Sequence, residues 1–273
     1  QQTQGLMPEF VNPKYSDHRK TVFKKPTRLE CMMQDFPTVI SSEMAHRVGF
    51  TSCANELCFS PVKNAVSDGV TLQAKGTAAG TAATGEADMY QAYCKILQSI
   101  GCQVEIQYPE SYLGITIAHP GPQVVIYPNF AACPGEYQKR FPTPDRVKIS
   151  AKSTLILRGE NITIHSLDLD GALIIDVPNH LEVIIGGNAK KISNSTDVEE
   201  PPFTVRNAGW VRVPIKDTGL MNEEKEIIQM RGYKIERKET AVIKRQGDVR
   251  RLLFSAEDGC MAMPFDAGDC EIL

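Results

Sequence analysis

From Arg146 onward, apolar residues return at intervals of six positions, and this is the clearest hydrophobic pattern in the chain. Within each step apolar and polar residues alternate, which is typical of a strand with one buried face. Three such steps make a turn of about 18 residues, so the pattern predicts short parallel strands wound as a parallel β-helix over residues 147–185. An ordinary β-sandwich or meander fits the same periodicity. The two predicted inward-facing sets are Ile149, Leu155, Leu167, Leu173 and Ile185, and Ala151, Leu157, Leu169, Ile175 and Leu181.

Upstream of the repeat, residues 86–100 show the spacing of a helix with one apolar face. Thr84 is a suitable N-cap and Gly101 a suitable stop. A second helix is predicted over residues 27–36, whose apolar positions would fill the core, while the glycine-rich residues 76–85 read as a flexible loop. The predicted buried positions are Met89, Ala92, Tyr93, Ile96, Leu97 and Ile100 in the first helix and Leu29, Met32, Met33 and Phe36 in the second.

These patterns divide the chain into three regions. Residues 1–141 mix helix and strand periods, and residues 142–240 carry the β repeat. A polar, acidic, proline-containing stretch at 192–203 reads as an insertion, and residues 241–273 read as an irregular tail. The fold class predicted is therefore mixed α/β.

A dense group of cations lies in the N-terminal region. Asn12 and Pro13 define a turn directly before Lys14, so the position of this lysine is fixed by the backbone. A lysine delivered to one place suits a phosphate group. The simpler interpretation is a solvated basic face. The six cations are Lys14, Arg19, Lys20, Lys24, Lys25 and Arg28.

Four segments resemble the UDP-sugar pyrophosphorylase family, the broad-specificity uridylyltransferases related to UDP-glucose and UDP-N-acetylglucosamine pyrophosphorylases. The resemblance runs over residues 9–236. For the broad-specificity branch it rests on N-P-K-Y with T-R-L-E-C-M-M-Q-D, on T-L-I-L-R-G-E-N-I-T-I-H-S-L-D-L-D-G-A-L-I-I-D, and on E-I-I-Q-M-R-G-Y-K-I-E. The segment F-S-P-V-K-N-A at 59–65 is similar to the UDP-N-acetylglucosamine branch.

The resemblance implies a fold and a reaction. The fold is the C-terminal part of a Rossmann-like nucleotidyltransferase core followed by a small left-handed β-helix-like domain. The reaction joins UTP to a sugar 1-phosphate (glucose, galactose or N-acetylhexosamine 1-phosphate), releases pyrophosphate, is reversible and depends on Mg²⁺. The family's Gly-rich nucleotide loop, L-x-G-G-x-G-T-x-x-G, is not found in these 273 residues, so we expect an N-terminal half to supply it together with the Mg²⁺ ligands. This portion alone is then expected to be inactive.

The resemblance also implies roles for individual residues. Lys14 corresponds to the lysine that contacts the sugar phosphate and the α-phosphate, and is the predicted catalytic residue. Arg28 and Lys63 are further phosphate-binding candidates. Asn12, Glu30 and Asp35 are predicted to support these cations, although the two acids fit equally well as surface residues.

Composition limits the other possibilities. The 273 residues have 42% hydrophobic and 23% charged side chains and a net charge of −3, which is ordinary for a globular protein and gives no reason to expect a nucleic-acid or membrane partner. The eight cysteines form no C-x-x-C pair, and the histidines show no metal-ligand spacing, so free thiols in a reducing cytoplasm are expected. Two other functions stay open: a non-catalytic β-helix assembly or interaction module, and a β-helix acyltransferase.

Overall fold

The computed structural model describes residues 7–187, 201–214, 230–244 and 251–254, and the chain forms two compact units that divide between Cys53 and Ala54. The boundary predicted near residue 141 therefore does not coincide with a division between units. Most of the predicted insertion at 192–203, and the end of the chain after Phe254, lie outside the described residues.

The first unit is built from short elements. Strand β1 (Glu9–Val11) pairs antiparallel with strand β2 (Leu29–Cys31). Two 3₁₀ helices follow, Met33–Val39 and Ser42–Arg47. A long loop therefore connects the two strands and carries most of the cations.

The helix predicted over residues 27–36 was wrong. Its first part is held extended because β2 pairs with β1, and the second part forms a 3₁₀ helix that contains Pro37. Proline disfavours the α conformation in the residue before it and removes a backbone donor. The four apolar side chains predicted to fill the core, Leu29, Met32, Met33 and Phe36, are all exposed.

The described part of the second unit contains α1 (Asn55–Cys58), α2 (Val66–Ala74), α3 (Ala82–Ser99) and α4 (Pro134–Arg140), and a 3₁₀ helix at Pro144–Arg146. The predicted helix at 86–100 is confirmed as α3, but it begins earlier, with Thr81 as N-cap. The Thr81 backbone N–H donates to Thr84 Oγ1 at 3.0 Å, so Thr84 lies in the first turn.

The buried face of α3 differs in part from the predicted one. Met89 is 36% exposed, whereas the prediction had it buried. The prediction rested on the spacing of apolar residues and did not include Ala83, Ala87 and Cys94. Alanine and cysteine pack as well as larger residues where a helix approaches a sheet closely. The buried residues of α3 are Ala83, Ala87, Tyr90, Cys94 and Leu97.

Among the residues that the structure describes, fifteen strands belong to this unit. They are β3 (Gln103–Val104), β4 (Glu110–Tyr112), β5 (Ile115–Ile117), β6 (Gln123–Ile126), β7 (Val147–Ile149), β8 (Thr154–Arg158), β9 (Ile162–Ile164), β10 (Leu167–Asp170), β11 (Ala172–Asp176), β12 (Glu182–Ile185), β13 (Thr204–Arg206), β14 (Trp210–Pro214), β15 (Tyr233–Arg237), β16 (Ala241–Lys244) and β17 (Arg251–Phe254).

Most of these strands belong to three parallel sheets, ordered β13-β10-β7-β3, β16-β11-β8-β6 and β17-β12-β9. The chain visits the sheets in rotation: β7, β8 and β9 lie in successive sheets, and β10, β11 and β12 repeat that order. Two antiparallel pairs, β4–β5 and β14–β15, stand apart. Parallel pairing over residues 147–185 is thus confirmed, and an antiparallel meander is excluded for this span.

The length of the repeat varies between the sheets. In the second sheet Leu155 pairs with Leu173, which is the predicted separation. In the first sheet Val147 pairs with Leu167, a separation two residues longer than predicted, because the connection from β7 to β8 is longer than the one from β10 to β11. In the third sheet Ile162 pairs with Val183, three residues beyond the prediction.

The predicted inward-facing sets are right except at one position. Ala151 was wrong, because it lies in the turn after β7 and is half-buried. The other nine residues of the two sets are fully or almost fully buried.

The segment predicted as an irregular tail contributes two strands. Strand β16 pairs with β11, and β17 pairs with β12, both in parallel. The six-residue period is lost here because the β14–β15 pair interrupts the chain before β16. Sequence spacing therefore gave no signal for these two strands.

One hydrophobic core joins α3, α4 and the parallel sheets. It contains Leu97 of α3, Tyr137 of α4, Phe141 and Val147 in a single cluster. The predicted boundary at residue 141 thus runs through a common core. In the described part of the chain, no helix has the length and apolarity needed to cross a membrane.

Candidate phosphate-binding sites

Three cations of the first unit, Lys14, Lys25 and Arg28, line a cleft of about 360 Å³, here called the basic cleft. Because Val11 pairs with Leu29, the residues that follow β1 and precede β2 come to the same end of the strand pair. The cleft is lined by Asn12, Lys14, Lys25, Pro26, Thr27, Arg28 and Glu30.

The loop between the strands is closed by local contacts. The rings of Tyr15 and Phe23 stack with 5.2 Å between their centroids. Asp17 accepts hydrogen bonds from the backbone N–H groups of Thr21 and Val22, and the bond from Val22 is the main reason why the pKa of Asp17 is lowered. Below this loop the Lys24 N–H donates to the Lys14 carbonyl at 2.7 Å, so the backbone at Lys14 is held in place.

The charge of the basic cleft is positive. Lys14, Lys25 and Arg28 face one acid, Glu30, and Arg28 Nε lies 3.9 Å from Glu30 Oε1. This pair is weak, since the Arg28 side chain is 88% exposed and water screens the charges. The cleft is therefore suited to an anion such as a phosphate group.

Four of the residues predicted from sequence meet in this cleft: Asn12, Lys14, Arg28 and Glu30. Asp35 is not among the lining residues; it lies in the first 3₁₀ helix, where its carbonyl accepts from Thr38 Oγ1. Lys25, which sequence reasoning counted only as one of six cations, also lines the cleft.

Lys63 belongs to the second unit and lines a larger cavity of about 640 Å³, here called the helical cavity, between α2, α3 and β5. The N–H groups of Lys63 and Asn64 both donate to the Gly80 carbonyl at 3.0 Å, and Asn64 Nδ2 donates to the Ala79 carbonyl at 2.8 Å. These bonds fix the backbone of Lys63 at the rim.

The same bonds correct the prediction of a flexible loop over residues 76–85. Ala79 and Thr81 are buried, and the last residues of the stretch form the start of α3. Gly80 has a φ of +59°, and a Cβ there would lie 2.9 Å from Asn64 Nδ2. Glycine is thus required by both backbone conformation and close approach.

Sequence reasoning missed the other polar groups of the helical cavity. Ser60 Oγ donates to Asp88 Oδ2 at 2.6 Å, which joins the segment before Lys63 to α3. His119 Nδ1 is buried and has no hydrogen-bond partner among the described residues. The F-S-P-V-K-N-A segment could have drawn attention to Ser60 and Asn64, whereas His119 had no local signal.

A polar cluster anchors α3 to strand β15 beside this cavity. Glu86 accepts hydrogen bonds from Arg231 Nη1 at 2.9 Å, from Tyr233 Oη at 3.1 Å and from Tyr90 Oη at 2.7 Å. Burial, followed by the negative charge of Glu86, raises the pKa of Tyr233 to about 12. The cluster holds the first half of α3, which includes the cavity residues Thr84 and Ala87.

Comparison with known proteins identifies what these cation-bearing segments are similar to. UDP-sugar pyrophosphorylase of Arabidopsis thaliana is 34% identical over 241 residues, which is 88% of this chain and 35% of the relative. The enzymes of the same name from the indica and japonica subspecies of Oryza sativa are each 33% identical over the same shares. The chain belongs to the UDP-sugar pyrophosphorylase family. It spans about 35% of the length of these relatives, and no profile of a protein family matches it.

The resemblance to this family carries the expectation of Mg²⁺, which binds oxygen ligands. In the described ranges, no group of three or more histidine, cysteine or acidic side chains is placed to hold a metal.

Proposed function

We propose that this chain contributes phosphate-binding residues to a uridylyltransferase that converts UTP and a sugar 1-phosphate to a UDP-sugar and pyrophosphate, reversibly. The observation that carries the proposal is the basic cleft, where Lys14, Lys25 and Arg28 line one concavity around Asn12. The membership of the UDP-sugar pyrophosphorylase family supports the same reaction. A non-catalytic assembly module and an acyltransferase gain no support from these relatives.

The reaction requires that the negative charge of the phosphates be neutralised and that the two substrates be positioned. An oxygen of the sugar phosphate attacks the α-phosphorus of UTP, a new P–O bond forms, and the bond to the bridging oxygen of pyrophosphate breaks. No covalent intermediate with the protein is required. Lys14 contacts the attacking phosphate and the α-phosphate, and its ammonium offsets the negative charge that these groups bring together.

Arg28 and Lys25 share the basic cleft and hold the remaining phosphate oxygens. Arg28 is weakly paired with Glu30, so its guanidinium exchanges this carboxylate for a phosphate at small cost. Asn12 keeps Lys14 in position, because it is the residue before Pro13 and is restricted to extended conformations.

Lys63 supplies a further cation at the helical cavity. Its backbone is fixed by the Gly80 carbonyl, and the cavity also presents Asn64 and the unpartnered His119 Nδ1. Its size of about 640 Å³ suits the sugar or nucleoside part of a substrate. The sugars considered are glucose, galactose and N-acetylhexosamine 1-phosphates.

The remaining parts of the enzyme lie outside these residues in this proposal. A Gly-rich nucleotide loop and the Mg²⁺ ligands are supplied by an N-terminal half, and the reaction takes place in the cytoplasm. When bound, Mg²⁺ would neutralise phosphate charge. The relatives' greater length leaves room for such a part.

The proposal extends to the fold. The rotation of successive strands through three parallel sheets supports a small β-helix-like domain, and we propose that its winding is left-handed, as the resemblance to the family implies. The helices and strands before it form the C-terminal part of a Rossmann-like core. An experimental structure of the complete enzyme tests both, and a right-handed winding of the sheets would contradict the first.

The first experiment compares the 273-residue chain alone with the chain joined to the remaining sequence of a family member. We expect no UDP-glucose from the first and turnover from the second. Metal-dependent turnover by the isolated chain would contradict the assignment of the nucleotide loop and Mg²⁺ ligands to an N-terminal half.

The decisive experiment concerns Lys14 in the joined protein. Lys14→Ala is expected to lower kcat by about 10²–10³, or roughly 3–4 kcal/mol, because a preorganised donor acts more strongly on the transition state than on the ground state. Its effect on the free energy of unfolding, followed through the melting temperature, should be that of a surface substitution, about 0.5 kcal/mol or less.

Lys24→Ala is the matched control, since Lys24 follows the same loop but does not line the basic cleft. It should leave kcat almost unchanged. Equal and small effects at Lys14 and Lys24 would show that the cluster is only a solvated basic surface.

A further inference from the structure

A second polar cavity, of about 280 Å³, lies in the second unit and is separate from the helical cavity. Its lining comes from the turns that connect the first and second parallel sheets and from strand β14. Gln123, at the start of β6, and Arg212, on β14, both line it. We call it the corner cavity.

Arg212 is held rigidly at this cavity. Its guanidinium carbon lies 5.2 Å from the ring centroid of Tyr233 and 6.0 Å from that of Tyr90. Tyr90 is itself fixed by Glu86. The rings stabilise the positive charge, and the Tyr233 side chain also makes a hydrogen bond with Arg212.

Two N–H donors of this guanidinium have no hydrogen-bond acceptor in the described structure. Nε and Nη2 of Arg212 are buried and, among the described residues, no atom accepts a hydrogen bond from either. These two N–H groups lie on the same edge of the planar guanidinium and point in parallel, which is the geometry that binds both oxygens of a carboxylate or phosphate. A buried donor without a partner is costly, so an acceptor is expected at this edge.

Gln123 requires a hydrogen-bond donor from the occupant, whereas Arg212 requires an acceptor. It is only 6% exposed, and its Oε1 is buried without a partner in the described structure. A carbonyl oxygen accepts and does not donate, so the occupant needs a hydroxyl or another donor as well as an oxyanion.

The acids at this cavity are largely engaged with their neighbours. Glu110 accepts from Gln107 Nε2 and from Tyr112 Oη, and Asp170 accepts from Ser150 Oγ at 2.7 Å. The lining contains two acids, Glu110 and Asp170, and two cations, Lys152 and Arg212, so the cavity has no net negative formal charge that would oppose an oxyanion.

We propose that the corner cavity is a second binding site, for a small hydroxylated oxyanion whose charged group is held by Arg212 and whose hydroxyl donates to Gln123. The cavity is smaller than a typical site for a drug-sized ligand, so the occupant has few atoms. A phosphate monoester and a hydroxycarboxylate share this chemistry, and the experiment separates them.

The test is a titration of the 273-residue chain followed by the NMR signal of the Arg212 Nε–H group. The probes are glycerol 3-phosphate, glycerate and glycerol. Glycerol 3-phosphate or glycerate should shift this signal at millimolar concentration, and whichever binds more tightly identifies the oxyanion. Glycerol, which lacks the oxyanion, should leave it unchanged.

Variants locate the binding. Because Arg212→Lys removes the Arg212 signal, the variants are followed by the indole N–H signal of Trp210, which also lines the corner cavity. Arg212→Lys keeps the charge but loses the paired donors, so affinity should fall by about tenfold or more. Gln123→Glu places a carboxylate near Arg212 and should also weaken binding, whereas Lys63→Ala in the helical cavity should not.

Three results would overturn the proposal. The first is the absence of any shift in the unsubstituted chain, which would mean that water alone fills the cavity. The second is equal binding by Arg212→Lys, and the third is a shift caused by glycerol alone. The readout needs no turnover, so it stands apart from the test of the uridylyltransferase reaction.

Discussion

The two units of this chain differ in where they keep their apolar residues. None of the described residues before Ala54 is buried, although this unit contains Phe10, Phe23, Met33 and Phe36. In the second unit most strand residues that face inward are fully buried, among them Leu155, Leu167 and Leu173. The residues to which we assign phosphate binding are concentrated in the unit that lacks a core of its own.

This difference separates two kinds of sequence signal. In the first unit the informative residues are exposed and charged, and their order along the chain matters more than their hydrophobic period. In the second unit the period decides the architecture, because each inward side chain stabilises the fold by about 1.5–3 kcal/mol. Substitutions in the first unit should therefore change binding, and substitutions in the second should change stability.

The largest expected effect is at Leu167, which is fully buried in the first parallel sheet. Leu167→Asp places a charge among apolar side chains without a partner, and should lower the free energy of unfolding by more than about 4 kcal/mol. Urea titration followed by circular dichroism measures this loss.

Met33→Asp is the control from the other unit, because Met33 is 88% exposed. It should change the free energy of unfolding by about 0.5 kcal/mol or less. A large loss at Met33 would show that the first unit has a core that its exposed side chains do not reveal.

A smaller effect is expected at Glu86, which accepts three hydrogen bonds and pairs with Arg231 at 2.9 Å. Glu86→Gln leaves the part-buried Arg231 without its counter-charge, so the free energy of unfolding should fall by about 3 kcal/mol. Differential scanning calorimetry of this variant beside Glu105→Gln, an exposed position, provides the measurement. Equal effects at the two positions would argue that the cluster contributes nothing specific.

The smallest expected effect concerns alkaline pH and Tyr137, which packs in the core of the second unit. Burial raises the pKa of Tyr137 from 10.0 to about 12. The unfolded chain therefore loses this proton first, and stability falls as the pH rises from about 10 towards 12. Tyr137→Phe should remove about 1–2 kcal/mol of that pH-dependent loss. Identical pH profiles of the two proteins between pH 9 and pH 12, by thermal unfolding, would contradict the assignment.

The pairing of the parallel strands was predictable from sequence only where the hydrophobic period was unbroken. Leu155 and Leu173 are one regular turn apart, and their pairing follows directly from the pattern. Ala241 and Ile243 occupy equivalent places on the next strand, but the β14–β15 pair lies between, so nothing in the local sequence indicates their partners. Long-range pairing of this kind depends on tertiary contacts.

The candidate sites were predictable to a similar extent. The N-P-K motif and the basic run identified Asn12, Lys14 and Arg28, because rigid turns and clustered charge are visible in sequence. The pairing of Val11 with Leu29, which brings these residues together, could not be deduced, since Thr27–Phe36 looked helical. Arg212 and Gln123 gave no signal at all, because an unpartnered buried atom is a property of three-dimensional packing.

The connection that follows β13 shows where related chains can differ in length. Strand β13 completes its place in the first sheet, the chain then leaves to form the β14–β15 pair, and it returns to place β16 on β11 without a shift in register. A segment can therefore be gained, lost or exchanged at this connection while every neighbouring strand keeps its partner. The connection after β13 is a position where a related protein can carry a different surface segment, or where a reporter can be inserted, without a change in the parallel sheets.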